Sequence, residues 1–375
     1  MVDLSKIDTP AAIVDTQRLD RNIARMQARM NTLGVSFRPH VKTTKCVDIA
    51  RRQRDAGAKG ITVSTLREAE EFFAADFADI LYAVCIAPQK LDRARNLRDR
   101  GCDLTVLVDS LEAAKALVAA PAGNKPFDVL IEVDTDGHRS GVDPDDPALI
   151  EIGRVLHRGG ATLRGVLTHA GNSYELQDPA ALQRLAEQER ALSVHAAERL
   201  RAASLPCPVV SVGSTPTALS ASSLAGVTEL RAGVYALFDL FMTNVGVCTL
   251  DDLALSVMTT VIGHQLEKGW IIVDAGWMAM SRDRGTARQR RDYGYGAVCD
   301  VEGRPIDGLT MIGANQEHGI LSFADGAGAA LNARYPIGSR LRILPNHACA
   351  TGAQYAQYHA VAPNRIEAWS RFNGW

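Results

Sequence analysis

Val35-Ser36-Phe37-Arg38-Pro39-His40-Val41-Lys42 is the run from which the fold is read. Pro39 turns Arg38 away from helical geometry and keeps the run extended. Thr43 or Thr44 then offers a cap for a helix starting near Cys46. Extended runs of this kind recur down the chain at Gly60–Ser64, Ile80–Val84, Leu104–Asp109, Val129–Asp134, Arg164–His169, Pro208–Gly213 and Glu229–Leu237. Most are continuous β-branched or leucine-rich segments, the composition of parallel strands buried on both faces. Amphipathic helix patterns lie between them, the longest at Ala181–Ala202. Eight strands, each but the last followed by a helix or helical turn, predict an α/β fold, a (β/α)8 TIM-type barrel.

Outside that region the pattern changes. Ala254–Ile262, Trp270–Asp274, Gly294–Asp300 and Arg340–Leu344 read as strands without long intervening helices, with turns such as Glu302-Gly303-Arg304-Pro305 between some of them. The expectation is a C-terminal antiparallel β domain over residues 243–375, a barrel over 21–242, and an N-terminal strand (Pro10–Asp15, within 1–20) associated with the β domain. A helix patterned by Leu19, Ile23, Met26 and Met30 follows that strand.

Composition narrows the function. The chain has 375 residues, 46% of them hydrophobic, and a formal net charge of −2. Near-neutral charge argues against nucleic acid or an anionic membrane as the main partner. No apolar run approaches the roughly 20 residues that span a bilayer. Seven cysteines at scattered spacings suit reduced, buried thiols better than a disulfide framework. The segment Met1-Val2-Asp3-Leu4-Ser5-Lys6 lacks the apolar core of a signal peptide, so the expected location is cytoplasmic.

A barrel gathers its chemistry at the C-terminal ends of its strands. Lys42 sits at such an end, although a solvated surface lysine is the competing reading. Gly213-Ser214-Thr215 offers amides and hydroxyls ahead of a short helix, a turn suited to phosphate, although plain Gly-Ser-Thr turns are common. A lysine and a phosphate site at one mouth suggest pyridoxal phosphate, whose aldehyde takes a lysine. Within Asp134-Thr135-Asp136-Gly137-His138-Arg139-Ser140-Gly141, Arg139 is suited to steady the phenolate oxygen of that cofactor. His169 and Tyr174 follow the sixth strand, where an aromatic could pack on the ring or be structural. In the C-terminal domain, Leu344-Pro345-Asn346-His347-Ala348-Cys349 reads as extended. His347 and Cys349 would then point to one side as a nitrogen–sulfur pair suited to zinc. Glu317-His318-Gly319 is a second cluster that could equally be a turn. Arg282, Arg284 and Arg288 could bind a substrate carboxylate or lie on the surface.

Together these segments resemble the fold-type III pyridoxal-phosphate enzymes of the D-threonine aldolase and D-serine dehydratase group. The resemblance runs over essentially the whole chain. It is carried by Arg38-Pro39-His40-Val41-Lys42, Asp134 to Gly141, Gly213-Ser214-Thr215, Gln316-Glu317-His318-Gly319 and Pro345-Asn346-His347-Ala348-Cys349, and extends through Val273 to Gly285. It implies an alanine-racemase-like barrel, Lys42 as the Schiff-base lysine, and His347 and Cys349 as metal ligands. It also places Tyr174, Gly213, Ser214, Thr215, Gly233 and Tyr235 around the cofactor, in a homodimer with its active site at the subunit interface. Aldolases of the group typically carry His-x-Asp where this chain has His347-Ala348-Cys349, and the dehydratase branch carries His-x-Cys. A thiolate favours zinc, with manganese or another divalent ion as the alternative. The implied activity is a dehydratase that eliminates the β-hydroxyl of a D-3-hydroxy amino acid, D-threo-3-hydroxyaspartate first and D-serine second. Aldol cleavage is the alternative, and racemisation a more distant one.

Overall fold

The structure is a computed structural model that describes residues 3–121, 123–324 and 330–375. Met1 and Val2, which open the N-terminal segment considered above, lie outside the described residues. The chain begins with strand β1 (Ala11–Asp15) and helix α1 (Thr16–Leu33). Eight strands follow: β2 (Ser36–Pro39), β3 (Ile61–Val63), β4 (Asp79–Cys85), β5 (Asp103–Val108), β6 (Asp128–Glu132), β7 (Thr162–Leu167), β8 (Val209–Val212) and β9 (Glu229–Ala232). They alternate with α2 (Val47–Asp55), α3 (Leu66–Ala74), α4 (Leu91–Asp99), α5 (Leu111–Ala119), α6 (Ala148–Arg158), α7 (Pro179–Ala202) and α8 (Thr215–Ser220).

All eight strands are parallel, in the order β2-β9-β8-β7-β6-β5-β4-β3. A parallel bridge between His40 and Thr62, with the Val41 N–H donating to the Thr62 carbonyl at 2.9 Å, closes the ring. Leu81, Leu107, Leu130 and Leu167, one from each of four neighbouring strands, form a buried cluster, and each stabilises the fold by about 1.5–3 kcal/mol on burial. At the N-terminal strand ends, Arg38 bridges Glu229 at 2.6 Å and Asp79 at 2.7 Å. Helices start where short polar side chains meet free amides: Thr65 accepts from the Glu68 N–H, Ser110 from Ala113 and Asp178 from Ala181.

Seven of the eight strands expected from sequence run too long at their C-terminal ends, and β4 alone ends one residue beyond the expected Val84. They were expected to reach Lys42, Ser64, His169 and Gly213, and instead stop at Pro39, Val63, Leu167 and Val212. Lys42, Ser64, His169 and Gly213 therefore sit in the loops just beyond the strands, at the face where such barrels carry their chemistry.

The remaining elements are α9 (Leu240–Val245), β10 (Leu255–Gln265), β11 (Trp270–Val273), α10 (Trp277–Met280), β12 (Gly296–Cys299), β13 (Pro305–Ala314), β14 (Gly319–Phe323), α11 (Leu331–Arg334), β15 (Arg340–Pro345), α12 (Ala348–Gly352), β16 (Gln357–Ala362) and β17 (Arg365–Ser370). Their sheet has the order β11-β14-β13-β12-β15-β10-β1-β16-β17, and a further β10–β11 pairing closes six of its strands into a ring. Val257, Ile271, Val273, Val298, Met311, Leu321 and Ile343 belong to one core cluster of this sheet. The sheet is antiparallel except where β1 pairs in parallel with β16. β1 comes from the start of the chain and enters the sheet between β10 and β16.

Two compact units result. One comprises Met1–Ile23, Thr43–Asp48 and Val234–Asn373, and the other Ala24–Lys42, Ile49–Gly233 and Gly374–Trp375. The short loop after Lys42 thus groups with the sheet unit, a crossing that no shift in composition marks. All seven cysteines are free thiols. Among the described residues no helix is long and apolar enough to cross a membrane.

Candidate active site

At the mouth of the barrel, Lys42 is exposed, three residues beyond β2. Its charge, after burial, is the next cause that holds the imidazoles of His40 and His169 below the ordinary histidine range. His169 is pushed down to about 3 by burial first, then by Lys42 and Arg139. Both rings are therefore neutral at pH 7. The His169 Nδ1–H donates to the Gly213 carbonyl at 3.0 Å, which fixes the tautomer and leaves Nε2 as the bare nitrogen. The Tyr174 ring lies 5.9 Å from that of His169. Arg139 is exposed on the loop after β6, close enough for its charge to act on His169 and on the buried Arg231. That loop is braced to the next one, because Asp136 accepts from the Asn172 N–H at 2.8 Å and Asn172 Nδ2 donates back at 2.7 Å.

The turn after β8 differs from the sequence expectation. The Gly213 N–H donates to Glu189 at 2.9 Å and the Ser214 N–H to Thr217 at 3.1 Å, so neither amide is left for a phosphate. Ser214 caps α8 in a capping box, and its hydroxyl also meets Ser173 at 2.8 Å. Glu189, buried on α7, accepts from Ala170 as well and fixes the turn from behind. Gly213 is required here: its φ is +129°, and a Cβ would lie 2.3 Å from the Arg231 carbonyl. What remains is Thr215 Oγ1, fully buried with no hydrogen-bond partner. A buried hydroxyl left without a partner costs about 1–3 kcal/mol, and a ligand oxygen relieves that cost. The turn thus fits a phosphate through Thr215 rather than through the glycine amide.

Gly233 closes the barrel unit after β9. Tyr235, 1% exposed, lies in the 3-10 turn Val234–Ala236 of the sheet unit. Sequence reasoning missed a thiol–carboxylate group at the ends of β4, β5 and β6. Cys85, Asp109 and Glu132 bring their donor atoms within 4.8 Å of one another, and Cys85 Sγ donates to Glu132 at 3.0 Å. Burial, followed by the charge of Glu132, pushes the Cys85 thiol far up, so it stays protonated and serves as a donor.

The sheet unit carries the second set of residues. His347 and Cys349 do come together, though by a different route from the expected one. The segment is not extended: β15 ends at Pro345, His347 is the N-cap of α12, and Cys349 lies in the first turn of that helix. The helix-forming run Ala348-Cys349-Ala350 overrides the strand. His347 Nδ1 lies 2.6 Å from Asp283 Oδ2, and Cys349 Sγ lies 3.2 Å from Thr43 Oγ1. Thr43 therefore meets the thiol, where capping of a helix was expected for it or for Thr44. Asp239, 1% exposed, accepts the Ala348 N–H at 2.9 Å and pins the backbone between His347 and Cys349.

Burial works against charge on both partners, yet they hold each other ionised. His347 is raised to about 11 by Asp283 and Cys349, and the Cys349 thiol lies below its ordinary range through His347 and Thr43. A thiolate beside an imidazole whose Nδ1 is committed elsewhere is a nitrogen–sulfur donor pair that fits a soft divalent metal, with a proton to be displaced on binding. Two protein donors leave coordination positions open for a substrate oxygen.

The other candidates resolve as surface structure. Asn315-Gln316-Glu317-His318 is the turn of the β13–β14 hairpin, closed by the Asn315 N–H to the His318 carbonyl at 2.8 Å. Arg282 stacks over Trp277, Arg284 pairs with Asp292 at 2.9 Å, and Arg288 is exposed. Asp283, the acid between two of these arginines, carries no local sequence signal and was missed.

Comparison with known proteins follows this division. The family model of the alanine racemase N-terminal domain matches residues 14–240, and that of a putative serine dehydratase domain matches residues 254–361. The chain is 64% identical to D-threo-3-hydroxyaspartate dehydratase of Delftia sp. (strain HT23), over 99% of each chain. It is 30% identical to D-serine dehydratase of Dictyostelium discoideum, over 96% of this chain and 94% of that one. The solved structure of the Delftia enzyme covers 100% of both chains with a TM-score of 0.98 at 64% identity. Two solved variants of D-threo-3-hydroxyaspartate dehydratase fit as well. One has a cysteine replaced by alanine and is in the metal-free form, and the other has a histidine replaced by alanine two positions earlier.

Proposed function

The chain belongs to the alanine-racemase-fold family that includes D-threo-3-hydroxyaspartate dehydratase, and from that premise we propose that Lys42 and the pair His347 and Cys349 serve one elimination reaction. The protein is a dehydratase, and its substrate is D-threo-3-hydroxyaspartate, converted to oxaloacetate and ammonia. D-serine, giving pyruvate and ammonia, is a second substrate of the same chemistry.

Lys42 Nζ would hold the cofactor aldehyde, and its amine would serve as the base for the proton on the substrate Cα. Thr215 Oγ1 would donate to the cofactor phosphate, with Ser214 and Gly213 shaping the turn around it. Arg139 would supply the cation for the phenolate oxygen. His169, neutral and held by Gly213, would line the cofactor ring together with Tyr174 without adding charge to it. Gly233 and Tyr235 complete the surroundings of the cofactor. Bound here, pyridoxal phosphate delocalises the electron pair left at Cα, and a divalent ion on His347 and Cys349 stabilises the departing β-hydroxide.

The observation that carries this reading is the His347–Cys349 donor pair itself. Zinc suits it best, because thiolate and imidazole are its preferred donors. Lys42 and Thr43 are consecutive in the chain, so the base is one peptide bond from the residue whose hydroxyl meets Cys349. The free thiols agree with a cytoplasmic enzyme, and the working unit is a homodimer, which size-exclusion chromatography tests.

Two variants separate the roles. Lys42→Ala removes turnover and the visible absorbance of the lysine-bound cofactor. Cys349→Ala keeps that absorbance and loses the metal and the ammonia-releasing activity. Full metal content and activity in Cys349→Ala would sink the assignment.

A further inference from the structure

Asp283 is placed to do more than neutralise a histidine. Its carboxylate is committed at both oxygens: Oδ1 accepts the Gly285 N–H at 2.7 Å, and Oδ2 meets His347 Nδ1 at 2.6 Å. Its backbone is held as well. Asn346 Nδ2 donates to the Asp283 carbonyl at 3.2 Å and to the Gly294 carbonyl at 2.7 Å, while Asn346 Oδ1 accepts from Thr286 Oγ1 at 3.2 Å. Two consecutive residues, Asn346 and His347, thus grip one aspartate at its backbone and at its side chain. A single ion pair would leave the imidazole free to swing about its bonds. This two-point clamp fixes both the position of the loop and the rotation of the ring. With Nδ1 bound to a carboxylate, Nε2 is the ring nitrogen left for a metal ion.

On the reading that His347 and Cys349 hold a divalent metal, we propose that Asp283 is the positioning residue of that pair, setting the tautomer and ring orientation of His347 so that Nε2 is preorganised for the ion. A carboxylate behind a metal-binding histidine orients the ring and raises its basicity, and losing such a partner weakens metal binding by about 10- to 100-fold.

The test is metal binding by the metal-stripped, cofactor-loaded protein, followed by calorimetry with Zn2+ and by the thiolate-to-metal absorption band with Co2+. Asp283→Ala is expected to bind both ions about 10- to 100-fold more weakly, with a shifted Co2+ band. Asp283→Asn keeps an oxygen for the Nδ1–H without the charge, and is expected to fall between Asp283→Ala and the parent. Cofactor absorbance stays unchanged in both variants, which reports an intact barrel mouth. Parent-like affinity and spectrum in Asp283→Ala would overturn the proposal while leaving the metal pair standing. A parent protein with no Cys349-dependent Co2+ band would overturn the metal reading, and the proposal with it. Should Asp283→Ala fail to fold, Asp283→Asn alone decides, with undiminished affinity counting against the proposal.

Discussion

Thr215→Val tests the phosphate turn, because the two states of the protein are expected to respond in opposite directions. Thr215 is fully buried at the start of α8, and its hydroxyl finds no partner in the protein. Valine keeps the shape and removes only the hydroxyl. In the cofactor-free protein the change removes an unsatisfied buried group, so thermal stability rises by up to about 1–3 kcal/mol. In the loaded protein the same hydroxyl is proposed to donate to a charged phosphate. Such a bond contributes about 1.5–3 kcal/mol, so cofactor affinity falls roughly 10- to 150-fold. The assay pairs the unfolding midpoint of the cofactor-free protein with a pyridoxal phosphate titration followed by absorbance. A variant that loses cofactor-free stability and keeps its affinity would refute the reasoning, since Thr215 would then be a structural hydroxyl with a partner.

Two further outcomes follow from the same mouth. Gly213→Ala places a side chain at φ +129° against the Arg231 carbonyl; backbone strain alone costs about 1–3 kcal/mol, and the clash adds to it. The unfolding midpoint should drop, and a midpoint equal to that of the parent would contradict the close approach. His169 titrates near 3 when folded, mainly through burial, against an ordinary value of 6.5. Between those values the unfolded chain binds a proton that the folded chain refuses, so stability rises with pH through that window and is lost as pH falls from about 6.5. His169→Gln should therefore show a smaller stability loss between pH 7.5 and pH 5 than the parent in the cofactor-free state. Equal losses would remove His169 from the acid sensitivity.

The barrel was legible because its strands are buried on both faces and read as apolar runs, as in Val106 to Val108 and Val129 to Ile131. The strands β13 and β17 escaped because most of their residues keep contact with solvent and the apolar pattern breaks up. Lys42, His347 and Cys349 could be read as candidates from residue type and spacing, but the helical start of α12 could not, since Pro345 and the β-rich context pointed to an extended segment. The use of the Gly213 amide was invisible for another reason. Its acceptor, Glu189, comes from the middle of α7, 24 residues upstream, and only the folded barrel brings it behind the turn. Asp283 was hidden in the same way, one acid in a basic loop whose partner lies 64 residues on.

The central claim is metal-assisted elimination with Lys42 as the base. It is tested most directly by product analysis on D-threo-3-hydroxyaspartate before and after chelation. Oxaloacetate and ammonia should form in equal amounts, cease when the metal is stripped and return when Zn2+ is restored. Glycine and glyoxylate without ammonia would contradict it, and would place the chain among the aldolases of its family.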